Sequence, residues 1–270
     1  MKLFIDLASC VFVSKTNSSE DTVFLISPVR DSQYPDEVVL MHYIAQIEAQ
    51  GRKVHYPLWD TQQNDPTGMK ICEQNRDVIR NASEVHLYWT PGSDGSKFDL
   101  GMVFMARKPL KIVNREAVKT TPYPSLANFV LALDSLSGVQ PNPVARKWPD
   151  EHMAYILCPE WKDFLDRDFI EDYVRALESF GTHVYYPPRE DAIDDVTCIA
   201  AYSARRAAME KSRDVHVLWT CNNNDNKFDL GMAFMAEKPV CLTRSIPATD
   251  GKKSFNNVLR ALDAKYKANS

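Results

Sequence analysis

Val85-His86-Leu87-Tyr88-Trp89-Thr90, with Lys97-Phe98-Asp99-Leu100-Gly101-Met102 after it, decides how this chain is read, because both runs occur twice. They return as Val215-His216-Val217-Leu218-Trp219-Thr220 and Lys227-Phe228-Asp229-Leu230-Gly231-Met232, each 130 residues later. Phe104-Met105-Ala106 and Lys108-Pro109 return at the same offset as Phe234-Met235-Ala236 and Lys238-Pro239. Working backward, Gly51 and Gly181 each close a helical pattern before a Val-x-Tyr-Pro strand. Working forward, Ser125-x-x-Asn128 and Ser254-x-x-Asn257 match with one residue of slippage. A constant register over so many positions is the mark of an internal duplication. The first copy lies within residues 1–140, its repeated part beginning near 21, and the second is 150–270; Gln140-Pro141-Asn142-Pro143 reads as the linker between them.

Both copies carry the same order of patterns. An apolar strand (23–27; 154–158) is followed by Pro28 or Pro159, then by a helix at 36–50 or 165–180. A second strand (54–57; 184–187) leads to a second helix, 66–82 or 196–211. A third strand (84–89; 214–219) precedes a third helix, expected to begin near Lys97 or Lys227, and a fourth strand (110–113; 240–243) precedes a closing helix. Strands alternating with helices predict an α/β fold: two tandem Rossmann-like or flavodoxin-like domains, each a parallel sheet of four to five strands with helices on both faces. In such sheets ligands bind beyond the carboxyl ends of the strands, so the residues just after each strand carry the functional reading.

Composition narrows the partners. A net charge of −4 without a basic stripe speaks against duplex nucleic acid and against an anionic membrane. No apolar run approaches the roughly 18 residues of a membrane helix, and the opening Met1-to-Cys10 run is too short, and is broken by Asp6, to read as a lipoprotein signal. The six cysteines form no Cys-x-x-Cys pair and do not match between the copies, which argues against a disulfide framework or a zinc site and for a reducing, cytoplasmic setting. No cofactor or metal is expected. Association of the chain with further copies of itself is left open.

The strand ends of the first copy gather Ser27, Pro28 and Arg30 after the first strand, Asp60 and Asp65 after the second, and Trp89, Ser93, Asp94, Ser96 and Asp99 after the third, with Asn75 on the intervening helix. An aromatic face for a base, carboxylates for sugar hydroxyls and helix-start amides for phosphate suit a nucleoside or nucleotide. The second copy offers Glu190, Asp195, Trp219 and Asp229 at matching places.

Ala82-Ser83-Glu84-Val85-His86, Phe98-Asp99-Leu100-Gly101-Met102 and Arg107-Lys108-Pro109-Leu110 together resemble the nucleoside 2-deoxyribosyltransferase superfamily, in which a strand after an Ala-Asp-like pair, a glycine/serine loop, an acidic-x-Gly helix start and a Gly-Lys-Pro-like lead into the next strand follow in this order. The resemblance implies cleavage of an N-glycosidic bond, with the sugar passed to another base or to water. It implies that Asp99 is the nucleophile, in the place where the family usually carries a glutamate, and that Asp229 is its counterpart. Asp65 is then the choice for proton handling at the base, and Asp94 or Asp60 for the sugar hydroxyls. Such chemistry passes through a covalent glycosyl ester and needs carboxyls of unlike pKa. The rival expectation is a non-catalytic nucleotide-binding protein, a sensor or a sequestering module.

Each of these residues also has a plain structural reading. Ser96-Lys97-Phe98-Asp99 fits a capping box with Ser96 as N-cap, and Asn226 to Asp229 does the same. Asp65 before Pro66 is a natural helix N-cap. His86 and His216 fall within expected buried strands, where a hydrogen-bonded core histidine is the expectation. Trp89 and Trp219 either stack on a base or wall the crevice; Met102, Met105, Met232 and Met235 read as core or contact residues. The copies differ at Asn75-Arg76 against Arg205-Arg206, at Ser93 to Ser96 against Asn223 to Asn226, and at Asp60 against Glu190, so the first copy is expected to hold the fuller site and the second either to bind something different or to serve as its structural partner.

Overall fold

The computed structural model describes residues 21–29, 34–136, 138–139, 141, 153–158, 164–191, 195–219 and 226–269. Arg30, the N-terminal run and all of the linker but Pro141 lie outside these. The chain runs β1 (Thr22–Ile26), α1 (Tyr34–Glu48), β2 (Lys53–His55), α2 (Pro57–Asp60), α3 (Met69–Asn81), β3 (Glu84–Leu87), α4 (Asp94–Met105), β4 (Leu110–Ile112) and α5 (Leu126–Ser135). The second half repeats the series as β5 (Met153–Leu157), α6 (Phe164–Ser179), β6 (His183–Tyr185), α7 (Pro187–Glu190), α8 (Ile199–Lys211), β7 (Asp214–Val217), α9 (Asn226–Met235), β8 (Val240–Leu242) and α10 (Phe255–Asn269). Each half builds a four-stranded, all-parallel sheet, in the order β2-β1-β3-β4 and β6-β5-β7-β8. The four-residue helical turns α2 and α7 are additions to the sequence reading; both begin at a proline, whose fixed φ suits a first helical position. Among the described residues no helix is long and apolar enough to cross a membrane.

The apolar run of β1 is divided by the pleat. Val23 and Leu25 join Leu40, Ile44 and Ile47 of α1 on the outer face. Phe24 and Ile26 join a far larger cluster that draws on both halves. Alternate residues of a strand point to opposite faces, so a strand covered on both sides reads as continuously apolar. His86 and His216 belong to the outer face: His86 Nδ1 meets the Tyr43 hydroxyl at 2.9 Å and Nε2 meets Glu84 at 2.8 Å, while His216 repeats the arrangement with Tyr173 at 2.6 Å and Asp214 at 3.1 Å. They pin the first helix of each half to its third strand.

The two halves are joined through α4 and α9, which cross at their glycines. A Cβ built on Gly101 would stand 1.9 Å from the Phe228 carbonyl oxygen, and one on Gly231 would stand 2.0 Å from that of Phe98. The glycine of the acidic-x-Gly run is therefore explained in both copies by backbone approach between the halves. Aromatic rings surround the crossing, with Phe98 5.5 Å from Phe234 and Phe104 5.9 Å from Phe228. The arginines that follow the Asn75/Arg205 difference cross the junction as a pair. Arg76 lies over Phe234 at 5.1 Å and Arg206 over Phe104 at 4.3 Å, the latter donating to the Phe104 carbonyl at 3.2 Å. Met102, Met105, Met232 and Met235 are all buried in this shared core.

Candidate functional site

A cavity of about 450 Å³ opens beyond the carboxyl ends of β1 and β3. These are the neighbouring strands from which the strand order runs outward in both directions, the place where open α/β sheets bind ligands. Its volume falls within the range of small-molecule sites. The first half supplies Ser27, Asn75, Ser93, Asp94, Phe98 and Asp99 among others, and the second half supplies Trp219, Lys227, Lys253 and the start of α10 at Ser254, Phe255 and Asn256. The cavity is thus composite: the crossing of α4 and α9 carries the second half's side chains into the first half's crevice.

Asp99 faces this space. The helix that bears it starts at Asp94, three residues before the expected Lys97, because Ser93 is the N-cap and accepts from the Ser96 amide at 3.3 Å. Ser96 is therefore inside the first turn, its hydroxyl donating to Ser93 Oγ at 2.8 Å, and Asp99 lies in the second turn, past the free amides that a capping box would serve. The capping reading of Ser96 and Asp99 is corrected on this point. The Asp99 carboxyl instead accepts from Asn75 Nδ2, at 3.3 Å to Oδ2 and 3.5 Å to Oδ1. Burial pushes its pKa up to about 7, against the opposing effect of the Asn75 hydrogen bond. A carboxyl in this range exchanges its proton near neutral pH.

Asp94 is the second carboxylate on the cavity wall. Its Oδ2 lies 3.4 Å from Lys227 Nζ, while Oδ1 is enclosed and has no hydrogen-bond partner among the described residues. Lys227 is 2 % exposed and sits 5.2 Å from the centre of the Trp219 ring. Trp219 in turn donates its indole N–H to Asn256 Oδ1 at 2.9 Å. Ser27, at the end of β1, lines the cavity with its buried side chain.

Other expected residues are placed elsewhere. Asp65 is occupied as a cap: its carboxylate accepts from Thr67 N at 3.0 Å, Thr67 Oγ1 at 2.9 Å and Lys70 N at 2.7 Å. Burial works to raise its pKa, but these hydrogen bonds outweigh it and hold the group below the ordinary carboxylate range. Asp65 is therefore held ionised in its cap, which does not suit donation of a proton to a leaving base, and its expected proton-handling role is corrected. The helix it serves begins at Met69, after Gly68 at φ 87°, so Pro66 precedes the helix. Asp195 repeats the cap with Thr197 and Ala200. Asp60 accepts from the Tyr56 amide at 2.7 Å and closes the turn α2, away from the cavity. Glu190 pairs with Arg189 at 3.5 Å. Pro28 is buried beside the cavity-lining Val29. Trp89 is buried in the core, its backbone held by Asn114 at 2.7 and 3.1 Å, and does not line the cavity.

The equivalent aspartate of the second half has different surroundings. Asp229 accepts from the Tyr155 hydroxyl at 2.8 Å and pairs with Arg205 Nη1 at 3.3 Å. Arg205 also donates from Nε to Asp191 at 2.9 Å. Desolvation raises the Asp229 pKa and Arg205 works against it, so this carboxylate has a built-in counter-ion where Asp99 has a neutral amide.

Sequence reasoning passed over Lys227, Lys253 and Asn256. For Lys227 there was a signal: the lysine of Lys-Phe-Asp is kept in both copies, and both Lys97 and Lys227 are buried, which lysine side chains rarely are without a partner. Lys253 and Asn256 had none, because their contribution depends on how the halves dock. The chain matches no family model, and no curated protein or solved structure was found to match it.

Proposed function

We propose that this chain cleaves the N-glycosidic bond of a nucleoside or nucleotide at the composite cavity of its first half, passing the sugar to water or to another base. The observation that carries the reading is Asp99: a carboxyl on the cavity wall, released from helix capping and pushed by burial to a pKa of about 7. In its ionised form an Asp99 oxygen bonds to the anomeric carbon while the carbon–nitrogen bond breaks and its electron pair leaves with the base. The base takes up a proton, for which the Asp94–Lys227 pair replaces Asp65. Water or an incoming base then attacks the glycosyl ester at the same carbon, loses a proton and returns the carboxylate, with overall retention. Because the ionised form is the reactive one, cleavage rises with pH through about 7.

A second reading, a binding protein that leaves its ligand intact, is favoured by one observation. Asp65 is consumed as a cap and Asp94 is tied to a lysine, so among the described residues the cavity has no second carboxyl standing free as an acid. Incubation with a panel of ribo- and deoxyribonucleosides and their monophosphates, with free base measured by chromatography, separates the two. The expected result is base release that Asp99→Asn abolishes. Tight binding with ligand recovered whole establishes the second reading, and neither binding nor release across the panel removes both.

A further inference from the structure

The amide that holds Asp99 is itself held from behind. Thr61 Oγ1 lies 2.8 Å from Asn75 Oδ1 and donates to it; His55 Nε2 lies 3.1 Å from the same Thr61 oxygen. Thr61 and Asn75 are 3 % and 5 % exposed, and the His55 ring is pinned flat against Phe24 at 5.4 Å. Asn75 has two unlike ends, a carbonyl that accepts and an NH2 that donates. Only one of its two orientations gives the Asp99 carboxylate a donor; the other turns the carbonyl oxygen toward it.

Thr61 makes the choice. A hydroxyl carries one proton, and if its lone pair accepts from His55 Nε2–H, that proton is available for Asn75. The Asn75 carbonyl then faces Thr61, and the NH2 faces Asp99. With Thr61 and Asn75 both almost fully enclosed, an amide turned the wrong way leaves polar groups unpaired, so the preference is strong. We propose that His55 and Thr61 are positioning residues, which lock the Asn75 amide with its NH2 toward the Asp99 carboxyl.

The second half supports treating these positions as one unit. At the same 130-residue offset His55, Thr61 and Asn75 become Tyr185, Asp191 and Arg205. The links persist: Tyr185 donates to Asp191 at 3.3 Å, Arg205 Nε to Asp191 at 2.9 Å, and Arg205 Nη1 to Asp229 at 3.3 Å. The path is the same and its chemistry has changed: Tyr185 remains a neutral donor, while the two positions nearer the aspartate have become the charged Asp191 and Arg205. All three positions differ together, as expected if each one's hydrogen-bonding role constrains the next.

The test is a carbon-13 NMR titration of the Asp99 carboxyl in the full chain, which needs no substrate and so stands apart from whether the chain cleaves a nucleoside. Thr61→Val keeps the shape and removes the hydroxyl; it is expected to move the Asp99 midpoint upward by about one pH unit, the loss of one hydrogen bond to a charged acceptor. Thr61→Ser restores the hydroxyl and is expected to titrate as wild type. His55→Phe keeps the ring stack, removes the donor, and is expected to shift the midpoint the same way by a smaller amount. Because His55 lies on the edge strand β2, this variant gives a reading even if the buried Thr61→Val does not fold. A midpoint that stays put in Thr61→Val or His55→Phe, or that moves as far in Thr61→Ser as in Thr61→Val, overturns the proposal.

Discussion

Gly101→Ala tests the junction on which the composite cavity depends. The added methyl would stand 1.9 Å from the Phe228 carbonyl oxygen and 3.1 Å from the Met232 amide nitrogen. Carbon–oxygen contacts of this kind settle at about 3.3 Å, so α4 and α9 must separate by about 1.4 Å or bend. Neither partner atom is the free end of a side chain that could swing aside. Overpacking a core commonly costs about 1–3 kcal/mol; here backbone must move, and the Phe98, Phe104, Phe228 and Phe234 contacts around the crossing loosen with it, so a cost of about 3 kcal/mol or more is expected. For a chain of this size that corresponds to a fall in Tm of roughly 6–12 °C. Differential scanning calorimetry measures it. Gly231→Ala should behave alike, since its Cβ would stand 2.0 Å from the Phe98 carbonyl. The double variant should cost less than the sum, because helices already separated for one methyl accommodate part of the other. If Gly101→Ala melts within a degree of wild type, the tight crossing is not a feature of the folded protein and the composite cavity loses its basis.

Arg205→Ala leaves Asp229 enclosed without its counter-ion and should destabilise the chain by about 3 kcal/mol in urea denaturation; adding Asp229→Asn should restore most of that loss. Asp99→Asn should stabilise the chain at pH 8 and not at pH 4. The folded pKa of about 7 exceeds the ordinary 3.8, so the folded state holds more protons than the unfolded one across that window, and wild type loses stability relative to the variant as pH rises through it. By pH 8 the difference approaches roughly 4 kcal/mol, read from paired denaturation curves at each pH. Lys227→Met removes the cation beside Asp94 while leaving the first half's own residues in place, and should weaken binding of a ligand drawn from the proposed nucleoside and nucleotide panel by about tenfold in calorimetry. Unchanged affinity would show that the second half does not complete the site.

The duplication and the parallel sheets were legible because they rest on local signals: a strict register, apolar runs of strand length and turn residues between them. Asp99 was legible as a candidate for the same reason, since it follows the third strand in a repeated motif. Its true place in the helix was not. Ser93 and Ser96 both have N-cap chemistry, and only the fold shows which one accepts from an amide. Asp65 was legible as a cap or as an acid; the four-way choice among Thr67 N, Thr67 Oγ1, Lys70 N and a ligand is settled by loop geometry that no spacing rule encodes. Gly101 carried a signal that was read too narrowly. A glycine kept in both copies inside an apolar helix marks close approach of another backbone, and here that backbone belongs to the other copy.

The asymmetry between the halves follows from this junction. Crossing α4 over α9 near a pseudo-twofold axis places a lysine from each third helix, Lys97 and Lys227, in buried positions, so the architecture by itself favours neither crevice. Among the described residues, Asp99 has the Asn75 amide where Asp229 has the Arg205 guanidinium and the Tyr155 hydroxyl. An amide beside Asp99 leaves a carboxyl that ionises near neutrality and faces open volume. A guanidinium beside Asp229 neutralises the same carboxyl from within the protein. A buried carboxylate already paired with arginine gains little from a ligand, whereas one paired only with a dipole still has most of its desolvation cost to recover. Exchanging the pair should therefore move the binding preference with it: Asn75→Arg is expected to abolish ligand binding in the first half while leaving the Tm within a few degrees of wild type. A variant that folds and still binds would show that the open carboxyl is not what a ligand recognises.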